Sequence, residues 1–341
     1  MDKVAIVILN WNGVAMLREF LPTVLACSNT EFSTSIYLAD NGSSDDSIAV
    51  TQTEFPAVKL IDLGENYGFA EGYNRAISLI DAEYIVLLNS DVEVTSRWLE
   101  PMVEFMDTNP SVGACQPKIR DWKNKEYFEY AGASGGFIDK FGYPFCRGRI
   151  QNTLEQDHGQ YDDVAPVFWA SGAALFIRKQ VYQLVGGLDA RFFAHMEEID
   201  LCWRLGSRGY DLVVIPQSVV YHVGGATLNK ANPRKTFLNF RNNLLMLYKN
   251  VPDQALRKTL RARLLLDNLA ALFFLLRGEL GNAKAVLRAR KEFSILKKDF
   301  HADRLDNLKH TSPNLNGIYP RSLIFDYYIR GIKKYSLLKL K

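Results

Sequence analysis

Residues 84–93 read Tyr84-Ile85-Val86-Leu87-Leu88-Asn89-Ser90-Asp91-Val92-Glu93. The apolar run from Tyr84 to Leu88 has the length of a strand and no polar side, which predicts a strand buried on both faces. At its end the chain turns polar and acidic. In open α/β sheets ligands bind in the crevice outside the carboxyl ends of the strands, so Asp91 is expected at that edge. A carboxylate there can hold a hard divalent cation against a diphosphate. Asn89-Ser90-Asp91 also suits a plain turn whose acid caps the segment beginning near Thr95-Ser96. The rest of the chain has to decide between the two.

Upstream, strand and helix patterns alternate. Val4 to Leu9 reads as a first strand, too short for the apolar core of a signal peptide and closed by Asn10-Trp11-Asn12. A helix from Val14 to Cys27, a strand from Ser35 to Ala39 and the polar run Asp40 to Asp46 complete a βαβ beginning. A helix over Ser47 to Glu54 stops at Pro56, and Val58 to Leu63 forms the next strand. Gly64 to Asn74 is a glycine-rich loop that enters a helix ending near Ile80. Three successive strands therefore end in turn-forming loops, which an open sheet gathers at one crevice.

Downstream, Ser96 to Met106 reads as a helix ended by Asn109-Pro110. The Gly- and aromatic-rich stretch from Val112 to Tyr161 suggests hairpins and a covering loop. Phe168 to Ile177 resumes the sheet, and Arg178 to Val185 is a helix stopped by Gly186-Gly187. A second acidic cluster follows in His195-Met196-Glu197-Glu198-Ile199-Asp200-Leu201, a helix entered through a loop with its acids in the first turn. Asp200 and Arg204 are spaced i, i+4, and an ion pair accounts for both. Glu197 and Glu198 are either solvated first-turn acids or, as adjacent like charges of raised pKa, a source of a general base. Val213 to Ile215 and Val219 to Tyr221 read as two strands broken by Pro216, the second ending at His222-Val223-Gly224-Gly225. A lone strand-end histidine is usually structural, but glycines after it let the backbone approach a ligand. Should His222 and Asp91 share a cation, their mixed imidazole and carboxylate set suits Mn²⁺ or Mg²⁺.

The chain has 341 residues, enough for one large domain or two ordinary ones. Cys27, Cys115, Cys146 and Cys202 lack paired spacing, which fits free thiols and a cytoplasmic location. The net charge of +3 hides an asymmetry: residues 254–341 carry 19 Lys and Arg against 7 Asp and Glu, a surplus of 12, leaving −9 for residues 1–253. Residues 254–298 read as helical, with Leu264-Leu265-Leu266 and Leu269 to Leu276 among flanking Lys and Arg. The apolar run falls short of the roughly 20 residues a membrane span needs and is interrupted by Asp267-Asn268. It suits a helix lying on an anionic membrane surface, or a hairpin packed on the preceding domain. No nucleic-acid module accompanies the charge.

Taken in order, Ile8 to Gly13, Asp40 to Asp45, Asn66-Tyr67-Gly68-Phe69-Ala70, Leu88 to Asp91, Gly172-Ala173, Glu197 to Leu201, His222 and Arg241-Asn242 resemble glycosyltransferase family 2, from about Val4 to Asn250. The resemblance extends to rhamnosyltransferase-like members and implies an α/β GT-A fold, a mixed central sheet flanked by helices. The expected organisation is a catalytic domain over 1–253, with a nucleotide-binding half over about 1–110 and an acceptor half over about 111–253, then a basic amphipathic helical region over 254–341. By that similarity Asp40 accepts from the ring N–H of a uracil or thymine base, Asn10 lines the same pocket and Asn89 lies near the ribose. Asn41, Asn66, Gly68 and Asn74 belong to the same nucleotide side. Asp91 is the implied metal ligand and His222 a further one, for Mn²⁺ or Mg²⁺. Glu198 stands at the position of the catalytic base, where the family usually has Asp after Glu, so the base is Glu198 or Glu197. Glu71 and Tyr73 depart from the glycine and asparagine of the family's Gly-Phe-Ala-Gly-Gly-Asn-Asn pattern.

The implied reaction is inverting, metal-dependent transfer of a sugar from a UDP or dTDP donor to a glycan or lipid-linked acceptor in cell-surface polysaccharide synthesis. Peripheral placement on the inner face of the cell membrane goes with it. Two other readings are a sugar-1-phosphate nucleotidyltransferase, for which no basic Gly-rich opening is present, and a non-catalytic nucleotide-binding membrane adaptor.

Overall fold

A computed structural model describes residues 1–224, 232–312 and 315–340. The chain begins β1 (Asp2–Asn10), α1 (Val14–Cys27), β2 (Thr34–Asp40), α2 (Ser47–Glu54), β3 (Lys59–Asp62), α3 (Gly68–Ser78), β4 (Ala82–Asn89). After β4 come β5 (Val92–Val94), α4 (Glu100–Thr108) and the long β6 (Val112–Asp121). Four short strands follow, β7 (Gly136–Asp139), β8 (Pro144–Cys146), β9 (Arg149–Ile150) and β10 (Thr153–Leu154), then β11 (Ala165–Pro166), β12 (Ala174–Arg178), α5 (Lys179–Leu184), α6 (Glu197–Ser207) and β13 (Asp211–His222). The rest is helical, α7 (Pro233–Asn250), α8 (Asp253–Leu276), α9 (Leu280–Leu296), α10 (His301–Lys309) and α11 (Leu323–Tyr328), with β14 (Ile318–Tyr319) between the last two.

The main sheet runs in the order β3-β2-β1-β4-β12-β6-β13-β11. Its first four members are parallel. β12 is antiparallel to β4 and β6, and β13 is parallel to β6, so the sheet is mixed. The strand over Tyr84 to Leu88 is sandwiched as its composition requires. Tyr84, Val86 and Leu88 face Leu17 and Leu21 of α1 and Met102 of α4, while Ile85 and Leu87 join Tyr73 and Ile77 of α3 on the other side. A second sheet, in the order β10-β9-β8-β7-β14, includes a strand from the chain's last thirty residues, and Leu323 N donates to the buried Asp139 carboxylate at 2.9 Å. The helical region thus packs on the sheet domain and completes one of its sheets.

Several details differ from expectation: α3 already begins at Gly68, inside the stretch read as a loop, and the strand expected from Phe168 begins at Ala174. The residues flanking Pro216 form one strand rather than two. β13 slips register against β6 between Ile215 and Val219, because proline cannot donate to the ladder and is accommodated as a bulge. The helix expected from Ser96 starts at Glu100, with Pro101 in its first turn. The preceding Val92–Val94 pairs instead with Val220–His222 as β5.

Asp200 is fully buried. Its Oδ2 accepts from Arg204 Nε at 2.9 Å and Lys249 Nζ at 2.8 Å, and its Oδ1 from Asn250 Nδ2 at 2.8 Å. The i, i+4 pair of α6 is therefore also the tie between α6 and α7. Removing Asp200 strips the buried Arg204 of its carboxylate partner and leaves Lys249 with Asp189 alone. Asp200→Ala is expected to lower the free energy of unfolding by about 3–5 kcal/mol, measured by denaturant titration.

Candidate active site

At the carboxyl ends of β1 and β2, Asn10 Nδ2 donates to Asp40 Oδ2 (3.0 Å) and Ser43 Oγ (3.1 Å), while Ser43 N donates to Asp40 Oδ1 (2.8 Å). Asp40 has no exposed surface, so a base would reach its carboxylate only on displacement of the Ser43 segment. Asn10 Oδ1 differs: it is buried without a partner, beside Gly13, whose missing Cβ would lie 2.4 Å from it and 4.0 Å from Ser90 Oγ. That free acceptor lies between the ends of β1 and β4. Asn12, in a left-handed conformation, accepts from Ser44 N through Oδ1 at 2.7 Å and holds the 43–45 turn.

Asn41 reaches the other way. Its Nδ2 donates to Asn66 Oδ1 (3.2 Å) and Gly68 O (3.1 Å), and its Oδ1 accepts from Tyr67 N (3.0 Å). Asn66 Oδ1 also takes Gly68 N at 2.9 Å. Asn41 and Asn66 thus shape the loop that opens α3, and Gly68 (φ +78°) permits the turn. Asn74 lies elsewhere. Its Oδ1 accepts from Tyr182 Oη and Leu188 N and its Nδ2 donates to Leu188 O, so this side chain is spent on the Gly187–Leu188 turn and not presented to a nucleotide.

Past β4, Asp91 meets His222 across β5. His222 Nε2 lies 3.1 Å from Asp91 Oδ1 and 3.4 Å from Asn89 Nδ2. Behind the ring, Nδ1 faces Glu129 Oε1 at 3.4 Å, a charge contact too poorly directed for a hydrogen bond. Burial lowers the pKa of His222, but Glu129 and Asp91 outweigh it and raise the value to about 10. Burial pushes Asp91 up, and the histidine together with neighbouring backbone N–H groups brings it below the ordinary carboxylate range. Gly225 of the predicted glycine pair lies outside the described residues. Glu129, buried in a stretch that reads only as hairpins, carries no sequence signal and was not anticipated.

The acidic helix is delivered by a strained loop. Phe193, His195 and Met196, none of them glycine, all have positive φ (67°, 70°, 74°). Asn242 Nδ2 donates to the carbonyls of Phe192, Ala194 and His195 at 2.8–2.9 Å, and Arg241 Nη2 to that of Phe192 at 3.1 Å. This gives the Arg241-Asn242 pair a role that spacing alone did not reveal. Glu197 is buried and Glu198 keeps partial exposure, and in each the Oε2 atom is sealed without a partner. Burial raises both pKa values, with the Glu198 charge adding to the rise at Glu197, while first-turn N–H groups oppose the rise at Glu198. Glu198 lies against Gly172, next to Ala173, whose carbonyl accepts from Asn89 N at 3.0 Å. The acidic helix therefore borders the end of β4.

Asp91 and His222 are adjacent donors of the kind a hard or borderline cation accepts, and Glu129 behind Nδ1 would keep that proton and leave the Nε2 lone pair for a metal. Among the described residues no group of three His, Cys, Asp or Glu side chains is arranged to hold a metal ion. A cation here would complete its shell from a diphosphate and water, as Mg²⁺ commonly does.

The Glycosyl transferase family 2 profile matches residues 5–170. Over those residues the chain carries the glycosyltransferase family 2 domain. It is 29% identical over 236 residues to the N-acetylglucosaminyl-diphospho-decaprenol L-rhamnosyltransferase of Mycobacterium tuberculosis, a match spanning 65% of this chain and 76% of that protein. With rhamnosyltransferase WbbL of Escherichia coli it shares 26% identity over 166 residues, 47% of this chain and 62% of the relative. The crystal structure of GalNAc-T7 with UDP, GalNAc and Mn²⁺ superposes with a TM-score of 0.58 at 13% identity, over 74% of this chain and 49% of that one, a likeness of GT-A fold. The chain is a glycosyltransferase, EC 2.4, which sets aside nucleotidyl transfer and the non-catalytic adaptor.

The unpaired Glu197 carboxylate has a consequence for stability. Its native pKa lies well above 4.5, so as pH rises the unfolded chain loses this proton first and the folded state is progressively disfavoured. Glu197→Gln is expected to raise the thermal midpoint at pH 7.5, because each tenfold difference in proton affinity between the folded and unfolded carboxyl is worth roughly 1.4 kcal/mol. The gain should vanish below pH 4.5, which thermal scans across pH will show.

Proposed function

We propose that this glycosyltransferase moves a deoxyhexose, rhamnose, from a dTDP or UDP donor to a lipid-linked diphosphate sugar in cell-surface polysaccharide synthesis, with inversion at the anomeric carbon. The observation that carries the reading is the meeting of Asn89, Asp91 and His222 with the Glu198 helix around Ala173. Diphosphate chemistry and proton abstraction need such a shared border.

In this reading the nucleobase uses the free Asn10 Oδ1 as acceptor, with Asp40 behind it orienting the amide. Asn41 and Asn66 fix the Gly68 loop around the donor, and Asn89 lies towards the ribose. Asp91 and His222 hold Mn²⁺ or Mg²⁺, which supplies charge neutralisation on the departing diphosphate. Glu198 takes the proton from the acceptor hydroxyl, because it is the member of the acidic pair with access to solvent and its raised pKa suits a base near neutrality. Glu197 and the clamped loop keep it at that border. The division into a nucleotide side over 1–110, an acceptor side over 111–253 and a helical region over 254–341 follows the same logic. A lipid-linked acceptor gives a purpose to contact between residues 254–298 and an anionic membrane surface, on the cytoplasmic face. Among the described residues no helix is long and apolar enough to cross a membrane.

The test is a panel of nucleotide sugars scored by thermal shift with and without Mn²⁺, followed by transfer to a polyprenyl-diphosphate sugar. A donor at a hundred times its Kd adds about 2.7 kcal/mol to stability and stands out from the panel. Glu198→Gln should keep that stabilisation and lose transfer by about 10²- to 10⁴-fold. Asp91→Ala should lose the Mn²⁺-dependent part of the stabilisation. Activity that survives Glu198→Gln but not Glu197→Gln would move the base to Glu197, and a panel without any metal-dependent binder would sink the reading.

A further inference from the structure

Helix α8 is inside out. Its inward stripe is Thr259, Arg263, Asp267 and Ala271, spaced four apart and each no more than 6% exposed. Arg263 Nε donates to Asp267 Oδ1 at 3.1 Å within that stripe. The opposite stripe holds Leu265, Leu269, Leu272 and Leu276, three or four residues apart, with Phe273 and Leu275 beside it. These six are between 47% and 79% exposed. A helix that faces water does the reverse. The same outward side begins about two turns earlier with Arg257 and Arg261, and Lys258 is exposed beside them. Residues 254–276 contain one acid, Asp267, and it is buried, so the outward face offers cations and apolar side chains with no negative charge.

Next to this stripe a groove of about 550 Å³ opens between α8 and α11. Its walls include Phe141, Leu265, Leu266 and Phe325, and Lys140 and Arg321 also line it together with Arg330, which pairs with the lining acid Asp326 at 3.0 Å. Apolar walls beside Lys140 and Arg321, with Arg330 held by Asp326, repeat on a smaller scale the chemistry of the helix face.

We propose that the outward face of α8 docks on an anionic bilayer, with the leucines entering the interface, Arg257, Lys258 and Arg261 on lipid phosphates, and the α8–α11 groove taking the chain and phosphate of one lipid. The purpose of such docking rests on the lipid-linked acceptor proposed above, although the residues that do it do not. Charge favours this occupant over a second copy of the chain, because two such faces would bring cations together without an acid to pair them. The face is joined to the active site by few contacts. Arg263 donates to Phe141 O at 3.2 Å and also to Asn243 Oδ1, and Asn243 Nδ2 meets Met196 Sδ at 3.8 Å, one residue before Glu197. A bilayer on α8 would therefore lie in fixed relation to the acceptor side.

Full-length protein should co-sediment with phosphatidylcholine vesicles that contain phosphatidylglycerol and lose most of that binding when the anionic lipid is omitted or the salt raised. Arg257→Gln, Lys258→Gln and Arg261→Gln combined should lower partitioning about 100-fold, since each basic residue near such a surface contributes about fivefold. Leu269→Gln, Leu272→Gln and Leu276→Gln combined should lower it at least about tenfold. Both variants should keep the parent's thermal midpoint and its rate of donor hydrolysis in vesicle-free solution, because the replaced side chains are exposed. No binding of the parent to anionic vesicles overturns the proposal. So does undiminished binding by both variants, or light scattering that shows a dimer which the leucine variant splits. Donor hydrolysis by the parent reads the proposed function separately, so failure of one reading is distinguishable from failure of the other.

Discussion

The contact between Asp91 and His222 joins positions 131 residues apart in the chain. It exists because β5, three residues long, pairs with the far end of β13 and sets His222 opposite Val92. A slip of one residue would turn the imidazole to the other face of the sheet, since side chains alternate. The register of β13 against β6, bulge included, must therefore be right before the site exists. The contact also answers an electrostatic demand. Two carboxylates, Asp91 and Glu129, are buried at this end of the sheet, and burial of a charge is tolerated only with a partner. Without a bound cation the protonated imidazole between them is that partner. A divalent ion on Asp91 and Nε2 would take over the role, and Glu129 would keep the Nδ1 proton. The same geometry thus serves two charge states.

Much of this was legible in the sequence, because strand ends in an open sheet share a crevice. Tyr84 to Leu88 marks a strand buried on both faces, and the polar runs after β1, β2 and β4 mark the edge, so Asn10, Asp40, Asn89 and Asp91 could be placed together from periodicity. What stayed hidden depends on contacts across the sheet. β5 is too short to have a pattern of its own. Glu129 lies in a stretch of glycines and aromatics where nothing distinguishes a buried carboxylate from a solvated one. Asn74 shares a helix with residues near the donor loop, and only the position of the Gly187–Leu188 turn shows that its amide is already used. Pro216 reads as a break, because a local rule cannot know that a parallel neighbour will carry the strand past it.

The acidic helix shows strain and support together. Left-handed conformations at Phe193, His195 and Met196 cost on the order of 1–3 kcal/mol each and persist only where the surroundings over-determine them. Asn242, with one amide group turned to three carbonyls, and the buried Asp200–Lys249–Arg204 cluster supply that support from α7 and from α6 itself. Glu197 and Glu198 are held at the helix mouth without partners for their Oε2 atoms, an arrangement that lowers stability at neutral pH. Such an expense is reasonable where a raised carboxyl pKa is the useful property.

The charge asymmetry of the sequence divides into two populations once the helices are placed. Part of the surplus in residues 254–341 is internal: Arg263 and Arg290 both engage Asp267, and Arg304 engages Asp253 and the carbonyls that end α7. These cations bind the helices to one another and to the sheet domain. Others, such as Arg257, Lys258 and Arg261, remain outside beside exposed leucines. A buried ion pair is weak evidence for stability, since a well-packed apolar pair of similar volume often does as well. Its presence on the inner face of α8, with leucines on the outer, makes more sense as a matter of where the leucines are wanted. Turned the other way, the helix would bury its apolar stripe and show water a charged one, as an ordinary surface helix does. The orientation seen here gives up that burial and holds apolar side chains outward on a rigid base, which is consistent with a second apolar phase as part of the working environment.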